Sequence, residues 1–343
     1  MKRLLCLLLL PALCLSLLLI PGCAPPREAG ASPADTMRAM ATVEASFSGG
    51  RVRELGSAVI YTLRDERAIL LTNYHVVAEE PLGLAETISV CFAADPAVPY
   101  SATLLGVDAA HDLAVLETPA PPNAAQATLR DSLPAMGDPV IALAAPGGHG
   151  LCAAAGIVSL PQELLTVYDL PYRAATPLTS LRCDITLGDG ASGGGLFDSE
   201  GQLVGLLHAG GREALCGFSF AIPVAYLRAP IEAILAAPSG TALPTLSLGA
   251  TLTDTASGVR AHAIEPGSAA YVALKEGDII LAASINGGVT QAATSACALR
   301  ELLLSCTPGD RVTFTVSRAG KKLTSDLTMI DAFYNHLSIQ EAS

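Results

Sequence analysis

Gly190-Ala191-Ser192-Gly193-Gly194 sets one hydroxyl among glycines. Flanking glycines permit a tight turn on which backbone N–H groups converge, and they let a substrate backbone come close. Serine alone is a weak nucleophile. It needs a neutral base to take its proton and an acid behind that base to fix the tautomer. The five residues also satisfy G-x-S-x-G, a nucleophile elbow that requires a strand before it, a helix after it, and Asp then His downstream. Here Leu196-Phe197 runs instead into a turn at 198–201 and another strand, so the partners are sought upstream.

Upstream, Leu70-Leu71-Thr72-Asn73-Tyr74-His75-Val76-Val77 places a His straight after a buried-looking strand, and Ala110-His111-Asp112-Leu113-Ala114-Val115-Leu116 places an Asp before another. The chain order is His, Asp, Ser, the order used on the chymotrypsin-type double barrel. Short runs rich in Val, Ile and Leu surround these segments, at 57–62, 68–72, 87–92, 114–116, 139–144, 156–160, 203–208 and 218–222. Punctuated by turn residues and free of intervening helical patterns, they predict an all-β sandwich or barrel pair. At 224–236 the period changes, with Val224, Leu227, Ile231, Ile234 and Leu235 at helical spacing, and Pro238-Ser239-Gly240 then closes the first domain. The chain beyond Gly240 reads as a smaller mixed unit. Strands are expected near 250–253, 261–264, 278–283 and 312–318, with a turn at 265–268 and a helix over 295–305.

These three segments, with Gly156-Ile157-Val158-Ser159 and Gly217-Phe218-Ser219-Phe220-Ala221-Ile222-Pro223, resemble the trypsin-like domain of the HtrA/Deg family. Ile264-Glu265-Pro266-Gly267-Ser268, Leu274-Lys275-Glu276-Gly277-Asp278 and Pro308-Gly309-Asp310-Arg311-Val312 resemble the family's PDZ domain. The resemblance implies a mainly β chain: a chymotrypsin-like double β-barrel over 46–236, a linker over 237–247, a small α+β PDZ-like domain over 248–332 and a tail over 333–343. It implies His75 as general base, Asp112 as its orienting acid, Ser192 as nucleophile, and the N–H groups of Gly190 and Ser192 as the oxyanion hole. It places Leu187 and Phe218 in an uncharged specificity pocket suited to aliphatic side chains, and Leu248-Gly249-Ala250 in a loop that holds peptide C-termini. No metal or organic cofactor is implied. Partners are unfolded proteins, peptide C-termini and further copies of the chain in a trimer. A peptide-binding sensor or holdase without useful turnover is the competing class, and a small-ester hydrolase a third. One departure is local: where the family usually has Asn-Pro-Gly-Asn before the serine, this chain has Gly188-Asp189-Gly190-Ala191. The loop therefore loses a φ-fixing proline and gains a negative charge near a site meant to stabilise one.

Length and charge set the outer bounds. The 343 residues predict two domains, and 51% hydrophobic against 15% charged residues supplies ample core. The balance of 20 basic and 32 acidic residues leaves a net charge of −12, which excludes nucleic acid as a partner. Lys2 and Arg3 precede an apolar run over 4–20 that ends in Leu19-Ile20-Pro21-Gly22-Cys23, a stretch that resembles a bacterial lipobox. The expectation is a signal peptide over 1–22, lipidation at Cys23, a flexible tether over 23–45 and an exported chain anchored in the cell envelope. With Cys6, Cys14 and Cys23 set aside, six cysteines remain, a number that permits disulfides. Cys297 and Cys306 fall on one expected helix, about 13 Å apart along its axis, so pairing there requires the helix to end early. His111, His149, His208, His262 and His336 show no metal spacing and read as surface or core residues.

Overall fold

Val43, Ala45 and Phe47 alternate with Thr42, Glu44 and Ser46, a period of two that turns the apolar side chains to one face. The computed structural model describes residues 33–79, 81–165, 177–211 and 215–330. In it this segment is strand β1 (Met40–Phe47), preceded by a short helix α1 (Pro33–Met37). The tether expected over 23–45 is thereby corrected. The Pro, Ala, Gly and Ser that read as a tether lie before residue 38, whereas Val43, Ala45 and Phe47 are fully buried between neighbouring strands. The signal peptide, Cys23, His336 and the tail lie outside the described residues.

β1 joins β2 (Val52–Arg64), β3 (Arg67–Thr72), β4 (Thr87–Phe92), β5 (Asp95–Asp108) and β6 (Leu113–Pro119) in the order β5-β4-β1-β2-β3-β6, and β6 pairs back onto β5. The ring is closed. A second ring repeats the device with β7 (Pro139–Ala144), β8 (Cys152–Leu165), β9 (Leu178–Cys183), β10 (Gly195–Asp198), β11 (Gln202–Gly210) and β12 (Ser219–Pro223). Its order is β10-β7-β8-β9-β12-β11, closed by β10 on β11. Closure pairs the strand edges that an open sheet would leave exposed.

Each barrel has its own filling: Val43, Ile60, Leu70, Phe92 and Leu116 in the first, and Val140, Val158, Leu181, Leu196 and Val204 in the second. A third cluster fastens the two together. Met40, Val59, Leu71 and Leu113 of the first barrel meet Leu143, Phe197, Leu206 and Ile222 of the second. The one-turn helix α2 (Tyr74–Val77) follows β3, and helix α3 (Val224–Ala236) follows β12 with the bounds its periodicity predicts. α3 covers the seam with Leu227, Ile231 and Ile234.

The C-terminal unit is a separate sheet in the order β13 (Thr251–Thr255), β14 (Gly258–His262), β15 (Ile279–Ile285), β16 (Arg311–Arg318) and β17 (Lys321–Thr328). Helices α4 (Ala269–Ala273) and α5 (Ala296–Leu304) complete it. Neither α4 nor the polar strand β17 was expected from the sequence. Val259, Ile280, Leu299, Phe314 and Val316 form the core of this unit, and Leu164 of β8 packs against it from the second barrel. α5 ends before Cys306, as pairing with Cys297 requires, yet all six cysteines among the described residues are free. Burial pushes the thiols of Cys297 and Cys306 up to about 12 and about 11.

Candidate active site

β3 delivers His75 one turn past its end, and the buried Asn73 anchors that turn by donating from Nδ2 to the Asp112 carbonyl at 3.0 Å. The Tyr74 N–H donates to the same carbonyl at 3.0 Å. Asp112 itself is 0% exposed and closes a short 3-10 turn, Ala109–His111, in a left-handed conformation with φ 51°. Asp tolerates that region better than most residues do. Its two carboxylate oxygens hold His75 twice: Oδ1 accepts from the His75 backbone N–H at 3.1 Å, and Oδ2 stands 2.8 Å from Nδ1. A carboxylate at Nδ1 keeps the proton there and turns the Nε2 lone pair toward a hydroxyl.

The Ser192 loop is positioned by groups that no local motif marks. Buried Ser57 donates from Oγ to the Gly190 carbonyl at 2.9 Å, accepts from the Ala145 N–H at 2.9 Å, and sends its own N–H to the Ser192 carbonyl at 2.7 Å. Gly147 N–H donates to the Asp189 carbonyl at 2.6 Å. These bonds restrain the loop where the missing proline would have stiffened it. At Gly193, φ is 82° and a Cβ would lie 2.0 Å from the Ser57 carbonyl oxygen, so only glycine fits beside the serine. The N–H groups of Gly190 and Ser192 donate to no acceptor among the described residues. Asp189 is exposed, and water screens the charge that the sequence brings near the serine.

His75, Ser192, Gly190 and Leu187 line one cleft, together with Glu54, Leu55, Asp189, His208, Ala209 and Ser219. Burial first, then the charges of Glu79 and Asp189, hold the Glu54 carboxyl above its ordinary range against the pull of His75. Phe218 does not line the cleft. Its ring lies under the Arg182 guanidinium, 5.4 Å from the charge centre, and Arg182 is itself held by Glu163 through two 2.7 Å bonds. The pocket expected from Leu187 and Phe218 is corrected accordingly: Leu187 lines the cleft with His208, Ala209 and Ser219, whereas the Phe218 ring packs against Arg182. His208, read from sequence as an ordinary histidine, is buried with Nε2 2.9 Å from Ser180 Oγ. Among the described residues no group of His, Cys, Asp and Glu gathers to hold a metal ion.

Leu248-Gly249-Ala250 lies immediately before β13, an edge strand. The Leu248 and Gly249 carbonyls accept from the N–H groups of Ala270 and Glu265, each at 2.9 Å, so the loop is stitched to the 265–270 turn. The Gly249 N–H donates to Ser247 Oγ at 3.1 Å.

Residues 56–206 match the trypsin-like peptidase domain. The serine protease Do-like HtrA of Lactococcus lactis subsp. lactis is 29% identical over 308 residues, covering 83% of this chain and 72% of that one. The periplasmic pH-dependent serine endoprotease DegQ of Escherichia coli is 29% identical over 291 residues, covering 80% of this chain and 59% of its own length. Among solved structures, the serine endoprotease from Yersinia pestis superposes with a TM-score of 0.58 at 26% identity, covering 89% of this chain and 99% of that one. The HtrA-type protease AlgW, solved with a tripeptide, gives 0.61 at 26% identity, covering 88% and 97%. Two closed barrels, a His–Asp pair and a serine in the lining of one cleft, and a matching trypsin-like peptidase domain lead to one conclusion: the chain is a serine endopeptidase with a trypsin-like fold, similar to the HtrA-type proteases.

Proposed function

We propose that the chain hydrolyses unfolded proteins and peptides through an acyl-enzyme. Ser192 Oγ attacks the scissile carbonyl and His75 Nε2 takes its proton. Asp112 stabilises the imidazolium so formed, and the N–H groups of Gly190 and Ser192 receive the oxyanion. His75 then returns the proton to the leaving amine, and water repeats the sequence to free the enzyme. The observation that carries this reading is the 2.8 Å contact of His75 Nδ1 with a fully buried Asp112, in the wall of the cleft that Ser192 also lines. Each oxyanion donor contributes about 3–4 kcal/mol to the transition state. Leu187 favours aliphatic side chains in the pocket.

The C-terminal unit serves as a PDZ-like module that takes peptide C-termini at Leu248-Gly249-Ala250 and along the edge of β13. Strand addition at an open edge is the means, with a peptide carboxylate replacing Ser247 Oγ as the acceptor of the Gly249 N–H. The chain is exported, as the relative named periplasmic supports, and is tethered to the envelope through a lipidated Cys23. The test is labelling with a fluorophosphonate probe alongside cleavage of denatured casein. The wild type labels and cleaves. Ser192→Ala does neither, with cleavage down by about 10⁶-fold. Intact peptide binding with no labelling would instead mark a sensor.

A further inference from the structure

Helix α5 of the C-terminal unit turns Arg300 and Glu301 onto the first barrel, and Arg300 is only 7% exposed there. Arg300 Nη2 donates to the Ala110 carbonyl at 2.5 Å, and Nη1 donates to Glu301 Oε1 at 2.7 Å. Glu301 Oε1 also accepts from Thr179 Oγ1 of β9 at 2.6 Å, while Oε2 stands 3.0 Å from His111 Nε2. The other ring nitrogen, Nδ1, stands 2.5 Å from Asp108 Oδ2. An imidazole with a carboxylate at each nitrogen donates from both, which requires the charged form. Two cations and two anions thus close a buried cluster between the units.

The cluster grips a turn with one job. Ala109–His111 ends on Asp112, whose φ of 51° lies in the left-handed region that costs an L-residue backbone energy, less for Asp than for most. Arg300 fixes the carbonyl at the middle of that turn, and Glu301 fixes the side chain of its last residue. We propose that Arg300 and Glu301 are positioning residues for Asp112: from the C-terminal unit they hold the 109–111 turn so that the carboxylate meets His75, and a displacement of α5 lowers the reactivity of Ser192. This rests on the reading of His75, Asp112 and Ser192 as the catalytic triad.

The charges facing His111 are Asp108 on its own turn and Glu301 and Arg300 on α5. Tyr226 of α3 and Cys297 of α5 stand near Glu301, each pushed up to about 12 by burial. Burial works to lower the imidazole, but Asp108 and then Glu301 overrule it and hold His111 up at about 9. Burial likewise opposes the Glu301 charge, but His111 and Arg300 bring its carboxyl down to about 2. The cluster therefore keeps its balance through neutral pH and loses a cation as pH rises through about 9.

The test uses the full chain and the rate at which a fluorophosphonate labels Ser192, with kcat and KM on denatured casein and a thermal melt beside it. Arg300→Ala slows labelling and lowers kcat about tenfold with KM nearly unchanged, and Arg300→Lys, which still offers one donor to the Ala110 carbonyl, recovers part of the loss. The isosteric Glu301→Gln removes one anion from His111 and moves the alkaline fall in labelling about one pH unit lower. Variants that melt earlier but label at the wild-type rate, with the wild-type pH profile, overturn the proposal and leave the triad standing. Should Arg300→Ala fail to fold, Glu301→Gln decides alone, and an unmoved alkaline limb overturns it. A wild type labelled no faster than Ser192→Ala overturns the triad reading itself, and this proposal with it.

Discussion

The loop that carries Ser192 and the turn that carries Asp112 both pass through positive φ, at Gly190 and Gly193 in the one and at Asp112 itself in the other, and they are held by different sets of bonds. Around Ser192 the restraints are uncharged: Ser57 Oγ and N–H, the Gly147 N–H on the Asp189 carbonyl, and the Leu207 carbonyl receiving the Gly193 N–H at 2.8 Å. They come from the two barrels. Around Asp112 the uncharged bonds from Asn73 and Tyr74 to its carbonyl are joined by a cluster of four ions on the preceding turn, and two of the four belong to the C-terminal unit. Uncharged bonds within one packed body hold their geometry across pH and salt. A buried ion cluster across two bodies makes its geometry depend on docking and on a proton.

Gly193 offers the largest test of that contrast. Gly193→Ala drives a methyl to 2.0 Å from the Ser57 carbonyl and 2.4 Å from Thr72 Oγ1 at a φ that L-residues avoid. The expected outcome is a chain that either misfolds or loses activity by about 10³-fold or more, since Gly193 adjoins Ser192, the proposed nucleophile and oxyanion donor. Recovery of folded, fully active Gly193→Ala would show the loop to be slack. Ser57→Ala is the milder probe. It leaves the Gly190 carbonyl and the Ala145 N–H without their shared partner, at a cost of about 1–3 kcal/mol for a buried group. Because Gly190 is a proposed oxyanion donor, the expected outcome is a kcat lower by about 10- to 100-fold with KM unchanged, read on denatured casein.

Much of this was open to reading in the chain. Val224–Ala236 carries a helical period bounded by a strand and by Pro238, so both its ends are local facts. The order His75, Asp112, Ser192 is likewise a pattern of short segments. What stays hidden is long-range. Ser57 lies 133 residues from Gly190, and His111 lies 190 residues from Glu301, so no spacing rule joins either pair. His111 reads as an ordinary surface or core residue, and nothing local marks Arg300, until the fold brings a carboxylate or a carbonyl to each. β1 was concealed for a different reason: it directly follows a Pro-, Ala-, Gly- and Ser-rich stretch that reads as a tether, and only the alternation of Val43, Ala45 and Phe47 marks where the barrel begins. Phe218 was assigned to the pocket by likeness to a family, and its long-range partner Arg182, not marked by any motif, takes the ring instead.

The smallest expected effect separates the two kinds of restraint by pH. The folded-state pKa of His111 is raised to about 9, above its ordinary value, so its contribution to stability is complete below about pH 6.5 and is lost as pH rises through 9. That of Glu301 is lowered to about 2, so its contribution is present above about pH 4.5 and is lost only in strong acid. Melting temperatures of the wild type and His111→Gln, followed from pH 6 to pH 9.5, should therefore converge by a few degrees, corresponding to about 1–2 kcal/mol. The gap between the wild type and Ser57→Ala should stay constant over the same range, because no group in that network titrates there. If both gaps were flat, the Asp112 turn would be held as neutrally as the Ser192 loop, and the two halves of the site would differ only in where their bonds come from.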